Sequence, residues 1–363
     1  VTLVTILVDA TLDCNLKCKY CYNQFLRDRF RDEITNVKAI KDAIKRVYNL
    51  GLGKQAVLHG GEPLLLSKDQ LDELLGYICS LTGNSNVQTN GTLIDNEIIK
   101  IFKRNNTSVG VSIDGPGELN RFRMSQKLTS RVIDNIFWLK EEGIRVGVIM
   151  VLHRANGLPE HRKQLKDFIY RLSEAGITGR LNLCLFPFKP GIELSPLEAR
   201  DLYLDLGLFM EENGINGWSP FSDMIHALTG KRQVMCTFNF CDPYATGGGV
   251  VITPSGQVSV CHKFHEERLA YTPPQLKTRA YILSQTDCKG CKYFQYCGGG
   301  CPANALNQDW RNKTKWCPVW KSLWSFIENR LRFLEVSIAS RNLPFDYQGG
   351  GNDHGDHWEV INT

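Results

Sequence analysis

The chain has 363 residues, 42% of them hydrophobic, enough to bury one large core or two medium ones. Its formal net charge of +5 is mild and its basic residues are scattered, which argues against nucleic-acid binding and leaves room for a weak preference for an acidic peptide. Thirteen cysteines would suit a small disulfide-bonded secreted chain, but Val1 to Asp9 lacks the basic start of a signal peptide and no apolar run approaches membrane-spanning length; the thiols are therefore expected to be metal ligands in a reducing cytoplasm, away from any membrane.

The first apolar segment, Leu3 to Val8, reads as a strand and feeds directly into Asp13-Cys14-Asn15-Leu16-Lys17-Cys18-Lys19-Tyr20-Cys21-Tyr22. A four-iron cluster normally takes one cysteine per iron, so the thiolates of Cys14, Cys18 and Cys21 would leave one iron open to a substrate or cofactor. The rivals are a zinc knuckle short of one ligand and three unrelated buried thiols. Zinc sites usually come as paired Cys-x2-Cys or Cys/His sets, and a strand running straight into this loop is wrong for a zinc finger.

Beyond this loop, helical spacing over Asn36 to Leu50, Lys68 to Leu81, Asp95 to Arg104, Ser130 to Glu142 and Pro159 to Ala175 alternates with strands at Ala56 to Leu58, Asn86 to Gln88, Val109 to Ile113, Val146 to Val151 and Leu181 to Leu185. Six strands alternating with five helices imply a parallel sheet with right-handed crossovers, short of the eight units of a closed TIM barrel. Periodicity alone leaves a closed doubly wound sheet open as well. Ligands in such folds sit at the carboxyl ends of the strands. There the sequence places Cys14 to Cys21, Gly60-Gly61-Glu62-Pro63, Thr89-Asn90-Gly91 and Ser112-Ile113-Asp114-Gly115-Pro116. One Gly-Gly or Asn-Gly is an ordinary turn, but four such loops in register form one rim where backbone can approach a ligand closely. Asp114 has the plain reading of a cap on the following turn.

A helical bridge, Ser195 to Glu212, leads to a second constellation: Cys241-x14-Gly256-x4-Cys261, then Cys288-x2-Cys291-x5-Cys297-x3-Cys301, then Cys317, with Cys236 five residues ahead of Cys241. Taken alone it could hold iron-sulfur clusters or form two zinc ribbons. Two thiols remain outside both constellations. Cys79, on the helix Lys68 to Leu81, is most simply a small core residue, and Cys184, on the last strand, is a candidate hydrogen-atom donor if its thiol faces the cavity. Pro318 to Ser340, with Trp320, Trp324, Phe326, Leu331 and Leu334 at helical spacing, is expected to dock on the barrel as core. The Gly-rich tail from Gly349 to Trp358 is expected to be mobile, with His354, His357 and Trp358-Glu359-Val360 a candidate occupant of a substrate groove.

The spacing of Cys14, Cys18 and Cys21, with an aromatic at Tyr20, resembles the radical S-adenosylmethionine (SAM) superfamily. The Cys241 to Cys317 pattern resembles the SPASM domain, named for its subtilosin, pyrroloquinoline quinone, anaerobic sulfatase and mycofactocin maturases. The resemblance implies an α/β fold: a partial (β/α)6 TIM-like barrel open on one side over residues 1–194, a helical bridge over 195–235 and an iron-sulfur SPASM domain over 236–317; it ends near Cys317, and spacing and composition alone give the C-terminal helix over 318–340 and the flexible tail over 341–363. It implies SAM and three 4Fe-4S clusters as cofactors. Cys14, Cys18 and Cys21 would hold the catalytic cluster, Cys236, Cys241, Cys261 and Cys301 the first auxiliary one, and Cys288, Cys291, Cys297 and Cys317 the second. The carbonyls of Gly60, Gly61, Glu62 and Pro63 would meet the SAM amine and Ser112 its ribose or carboxylate, with Tyr20 and Asn90 beside them. Arg123 lies in Asn120-Arg121-Phe122-Arg123, where relatives often show a His-Asp pair and an arginine, and it or Arg131 would clamp the SAM carboxylate.

The resemblance further implies reductive cleavage of SAM to methionine and a 5′-deoxyadenosyl radical that removes a hydrogen from substrate, with two fully ligated auxiliary clusters suited to a net oxidation. The expected substrate is a ribosomally made precursor peptide and the expected product a side-chain crosslink. An anaerobic sulfatase-maturing, formylglycine-generating enzyme is the alternative; those relatives carry an aspartate base directly after the third auxiliary cysteine, where this chain has His262. A peptide epimerase would need Cys184 or Cys79 as thiol donor, and a scaffold protein would have no use for an open iron. Expected partners are the precursor peptide and a reductant such as flavodoxin or ferredoxin; since Cys14 leaves no room ahead of it for a leader-binding module, leader recognition is expected from a separate leader-binding protein, from barrel or SPASM surfaces, or from chain ahead of Val1.

Overall fold

Alternation along the first strand sets the two faces of the molecule: Ile6, Val8 and Ala10 are buried in the main apolar core, while Asp9, on the opposite face, lies against His59. The computed structural model describes residues 4–30, 32–51, 53–184, 191–231, 236–242, 249–259, 261, 263 and 278–340. Strands β1 (Val4–Thr11), β2 (Gly53–Gly60), β3 (Ser85–Thr89), β4 (Thr107–Ser112), β5 (Val146–Leu152) and β6 (Gly179–Leu183) pair in parallel, in chain order. Two further strands, β7 (Gly249–Ile252) and β8 (Val258–Ser259), continue the sheet on the far side of β1, giving the order β6-β5-β4-β3-β2-β1-β7-β8. The sheet does not close on itself, as a partial barrel requires.

The helices are α1 (Gln24–Arg29), α2 (Val37–Asn49), α3 (Lys68–Thr82), α4 (Asn96–Arg104), α5 (Gln126–Glu141), the short α6 (Arg154–Gly157), α7 (Pro159–Glu174), α8 (Pro196–Glu212), α9 (Phe221–Leu228), α10 (Thr278–Gln285), α11 (Phe294–Cys297) and α12 (Cys317–Phe333). Their ends follow from local chemistry. Asn36 and Asp95 accept hydrogen bonds from the Ala39 and Ile98 amides, and Ser67 and Ser195 form capping boxes with Gln70 and Glu198. The predicted helices Asn36 to Leu50 and Asp95 to Arg104 thus include their own caps. Helix α5 begins a turn earlier than its apolar pattern because Ser125 caps the polar start Gln126-Lys127. Buried Ile40, Ala43, Ile44 and Val47 make the apolar stripe of α2 that covers β1 and β2. Leu3 and Leu185, at the outer ends of the first and last predicted strands, lie outside the described residues.

Strand β7 comes from the cysteine-rich half yet pairs in parallel with β1, Thr5 opposite Gly249 through Val8 opposite Ile252. Its hairpin to β8 presses on the start of α2. Asn36 donates its amide to the Pro254 carbonyl at 2.8 Å, and a Cβ on left-handed Gly256 would lie 2.6 Å from the Ala39 carbonyl carbon, so this approach needs glycine. The two halves therefore share one sheet.

Helix α12 packs on α8 and α9, and its buried side chains join the main core. The reason is aromatic: Trp320 and Trp324 are buried against Phe238, which meets the Trp320 ring edge-on at a centroid distance of 5.4 Å, and Tyr203 of α8 closes on Trp320 at 5.7 Å. Leu334, 65% exposed beyond the helix end, takes no part. Glu328 locks the other side of α12, accepting from Lys292 at 2.8 Å, Tyr293 at 2.7 Å and Arg332 at 2.8 Å. Burial pushes its carboxyl up, but these donors outweigh it and hold the value at about 2. Because two of the partners are largely exposed, Glu328→Gln is expected to cost only about 1–2 kcal/mol near neutral pH. The folded value lies below the unfolded one, so this contribution is present above about pH 4.3 and is lost as pH falls toward 2; urea unfolding followed by tryptophan fluorescence at several pH values measures it. Among the described residues no helix is long and apolar enough to cross a membrane. The tail with His354, His357 and Trp358 lies outside the described residues.

Candidate active site

The loop carrying Cys14, Cys18 and Cys21 leaves the carboxyl end of β1 and is held from several directions. The Gly61 and Glu62 amides donate to the Thr11 and Asp13 carbonyls at 2.8 and 2.7 Å, which lays Gly60 to Pro63 directly against the cysteine loop. A Cβ on Gly61 would stand 2.0 Å from the Asp13 carbonyl oxygen, and one on Gly60, whose φ is +115°, 2.4 Å from that of Thr11. Arg27 of α1 donates to the Cys14 and Leu16 carbonyls, and Asn23 to that of Gly60. Asn90 donates to Asn15 at 2.8 Å and comes within 4.0 Å of the Cys14 sulfur. On the other flank the Lys19 amide bonds the Phe122 carbonyl at 2.9 Å, and the Cys18 thiol lies 3.7 Å from the Arg123 carbonyl.

The carboxylate of Glu62 does not reach into the open face. It is fully buried and accepts from the Leu64 amide, the Thr89 hydroxyl at 2.6 Å and the Asn90 amide at 2.7 Å. Burial raises its pKa and these donors only partly offset that. It pins the Thr89-Asn90-Gly91 loop to Gly60 to Pro63, and so positions the rim through its side chain. Ser112 accepts from Gln88 at 2.7 Å on the same rim.

Asp114 is not a turn cap but the centre of a buried network. Its Oδ2 accepts from the Tyr20 hydroxyl and from His153 Nε2 at 3.2 Å, and its Oδ1 from Arg123 at 3.3 Å and the Val151 amide at 2.9 Å. His153 Nδ1 accepts from the Ala155 amide, which leaves its Nε2–H to face Asp114 as the donor. Burial alone would push the Asp114 carboxyl up; Arg123, His153 and Tyr20 outweigh it and hold the carboxyl well below the usual carboxylate range. Arg123 lies over the Tyr20 ring at 5.4 Å. Its Nε is buried with no hydrogen-bond partner among the described residues, a donor still available to an anionic ligand beside Cys18. Arg131, the other candidate clamp, is exposed on α5 and is not part of this rim.

Burial pushes the Cys14 thiol up and that of Cys18 to about 12, as expected for ligands that give up their protons only to a bound metal. In the second constellation the charges acting on the half-buried Lys263 ammonium are those of Cys301, Cys236, Cys261 and Cys241, and its Nζ stands 3.8 Å from the Cys301 sulfur. Cys288, Cys291, Cys297 and Cys317 line a separate cavity of about 230 Å³. The thiols thus gather in two groups, and Cys301 joins the group of Cys261 rather than that of its sequence neighbour Cys297. Among the described residues no three His, Cys, Asp or Glu side chains converge as tightly as a single ion requires; a cubane, whose irons stand between its ligands, holds sulfurs farther apart. Tyr22, 40% exposed, lies close to both constellations, near Asp9, Cys21, Cys261 and Cys236. His262 lies outside the described residues.

Residues 9–169 match the family model of the Radical SAM superfamily. A cysteine-type anaerobic sulfatase-maturating enzyme of Clostridium perfringens (strain 13 / Type A) is 33% identical over 341 residues, spanning 80% of this chain and 86% of the relative. The chain belongs to the radical SAM maturase family. The serine-type anaerobic sulfatase-maturating enzyme of Bacteroides thetaiotaomicron is 30% identical over 352 residues, 81% of either chain. The solved structure of native anSMEcpe with bound AdoMet has the same fold, with a TM-score of 0.72 at 22% identity over 91% of this chain and 99% of that one. Streptococcus suis SuiB bound to precursor peptide SuiA gives 0.60 at 16% identity, over 87% of this chain and 76% of that one.

For this radical SAM maturase, sequence reasoning missed His153 and the central place of Asp114. Neither carries a local signal; they meet only because β4 and β5 are neighbours in the sheet. Cys184, 3% exposed, packs with Tyr20 and Ile192 close to the cysteine loop, with its thiol pushed to about 12 by burial. Cys79 is half-buried on α3, away from that loop.

Proposed function

We propose that this radical SAM maturase oxidises a ribosomally made peptide, closing a crosslink between side chains. In that reading Cys14, Cys18 and Cys21 hold a catalytic 4Fe-4S cluster, and Cys236, Cys241, Cys261 and Cys301, with Cys288, Cys291, Cys297 and Cys317, hold two auxiliary ones. The backbone of Gly60 to Pro63, with Tyr20, Asn90, Ser112 and Arg123, holds SAM, and the free Nε of Arg123 suits its carboxylate. When bound, cluster and SAM together supply a 5′-deoxyadenosyl radical that removes hydrogen from substrate. The chain's own work is to hold the cysteine loop rigid through Asp114 and Glu62, to exclude water, and to keep the substrate near both constellations.

The observation that supports the oxidative reading is that Tyr22 lies near thiols of both constellations, Cys21 of the first and Cys261 and Cys236 of the second. A substrate beside it would lie within reach of an electron acceptor, which a redox-neutral epimerisation does not need. The second reading, oxidation of a sulfatase side chain to formylglycine, is favoured by the named relatives over most of the chain. Against it stands His262 in place of their aspartate.

Anaerobic turnover with SAM, a flavodoxin or ferredoxin reductant, and a peptide encoded beside the gene tests the proposal, run in parallel with a sulfatase-derived peptide. The expected product is lighter by two hydrogens, cyclic by tandem mass spectrometry and inert to hydrazide. A hydrazide-reactive aldehyde on the sulfatase peptide alone would establish the second reading, and a product of unchanged mass that takes deuterium from solvent would establish epimerisation.

A further inference from the structure

Arg279, at the start of α10, is 1% exposed. Its five N–H groups donate to five backbone carbonyls: Nε to Trp310 at 2.6 Å, one terminal nitrogen to Gly298 and Gly300 at 3.3 and 2.8 Å, the other to Gly299 and Asn312 at 3.2 and 2.9 Å. Every acceptor is neutral. Its backbone amide is bound by the Asp242 carboxylate at 2.9 Å, one residue beyond Cys241.

Desolvating a guanidinium among neutral acceptors costs several kcal/mol unless opposite charge lies close by. Burial does push its pKa down, and the groups that oppose this are Cys301 and Cys241 of one thiol group, Asp242, and Cys288 of the other. The carbonyl cage matters as well. Gly298, Gly299 and Gly300, all with φ between +58° and +76°, lie between Cys297 of one thiol group and Cys301 of the other. Left-handed backbone turns three successive carbonyls toward one guanidinium, and a Cβ on Gly300 or Gly299 would stand 2.3 Å from Thr314 or Leu283.

We propose that Arg279 is the shared positive countercharge of the two auxiliary clusters and raises the reduction potential of both. This rests on the assignment of the eight thiols to two clusters, made above. A cluster gains negative charge on reduction, so a fixed cation between two of them favours the reduced form of each. Arg279 is a positioning residue that touches neither substrate nor SAM; its effect is on how readily the auxiliary centres accept an electron.

The test is an EPR-monitored redox titration of the anaerobically reconstituted full chain, with iron counted in every sample. Arg279→Gln removes the charge and is expected to lower both auxiliary midpoints by at least tenfold in the reduction equilibrium, about 59 mV for one electron, with the midpoint of the Cys14, Cys18 and Cys21 cluster unmoved. Arg279→Lys keeps the charge and loses most of the carbonyl bonds; it is expected to keep full iron and near wild-type midpoints. Full iron with unmoved auxiliary midpoints in Arg279→Gln overturns the proposal. So does an Arg279→Lys chain that loses auxiliary iron or shifts as far as the glutamine variant, because the cage and not the charge would then be what counts. Wild-type protein that binds no auxiliary iron would instead refute the two-cluster assignment itself.

Discussion

Asp114→Ala is expected to abolish SAM cleavage and to cost about 3–5 kcal/mol of stability. The substitution leaves Arg123 buried with its charge uncompensated and strips the acceptor from Tyr20, His153 and the Val151 amide at once. Tyr20 stands between Cys18 and Cys21, so the cysteine loop loses its inner anchor along with the stability. Asp114→Asn, which keeps the shape and part of the hydrogen bonding, is expected to be milder in unfolding and still strongly impaired in SAM cleavage. The folded carboxyl titrates below its unfolded value, so its contribution is present above about pH 4 and lost only as pH falls further. Denaturant unfolding beside a SAM-cleavage assay checks both effects. An alanine variant with wild-type unfolding and SAM cleavage would show that the network does not support the site.

Changing Cys14, Cys18 and Cys21 together to alanine is expected to eliminate SAM cleavage entirely while removing only a third of the iron, from about twelve to about eight atoms per chain. The selectivity follows from the separation of the thiols: Cys288, Cys291, Cys297 and Cys317 line a cavity of their own, and the remaining four gather round Lys263. Metal analysis with absorption and EPR spectra measures the outcome. Loss of all iron, or stoichiometric zinc in place of the auxiliary iron, would overturn the three-cluster assignment.

The parallel sheet was readable because each of its first six strands and the helices between them bury apolar faces with a regular period. The rim loops were readable for a different reason: in a parallel sheet, whatever follows a strand lies at its carboxyl end, so Cys14, Gly61, Asn90 and Ser112 had to converge. Three features escaped. Strand β7 is four buried residues with no alternation, and its partner β1 lies far away in the chain. Asp114 gains its role from Tyr20, Arg123 and His153, which come from three separate loops. Glu62 is read in sequence for its backbone carbonyl, and the inward turn of its carboxylate to two amides and a hydroxyl is not visible there. In each case the deciding contact is set by tertiary packing and leaves no trace in the neighbouring residues.

The pairing of β7 with β1 also dictates an order of events at the ribosome. β1 is made about 240 residues before the strand that covers its outer edge, an interval of roughly ten to fifty seconds at ordinary rates of synthesis. By the end of that interval a six-stranded parallel sheet carries an unprotected edge with Ile6 and Val8 beside it, the kind of surface that captures strands of other chains. The nascent barrel therefore needs shielding until the cysteine-rich half emerges, and a chain cut short before Gly249 is expected to aggregate rather than to fold as a smaller enzyme.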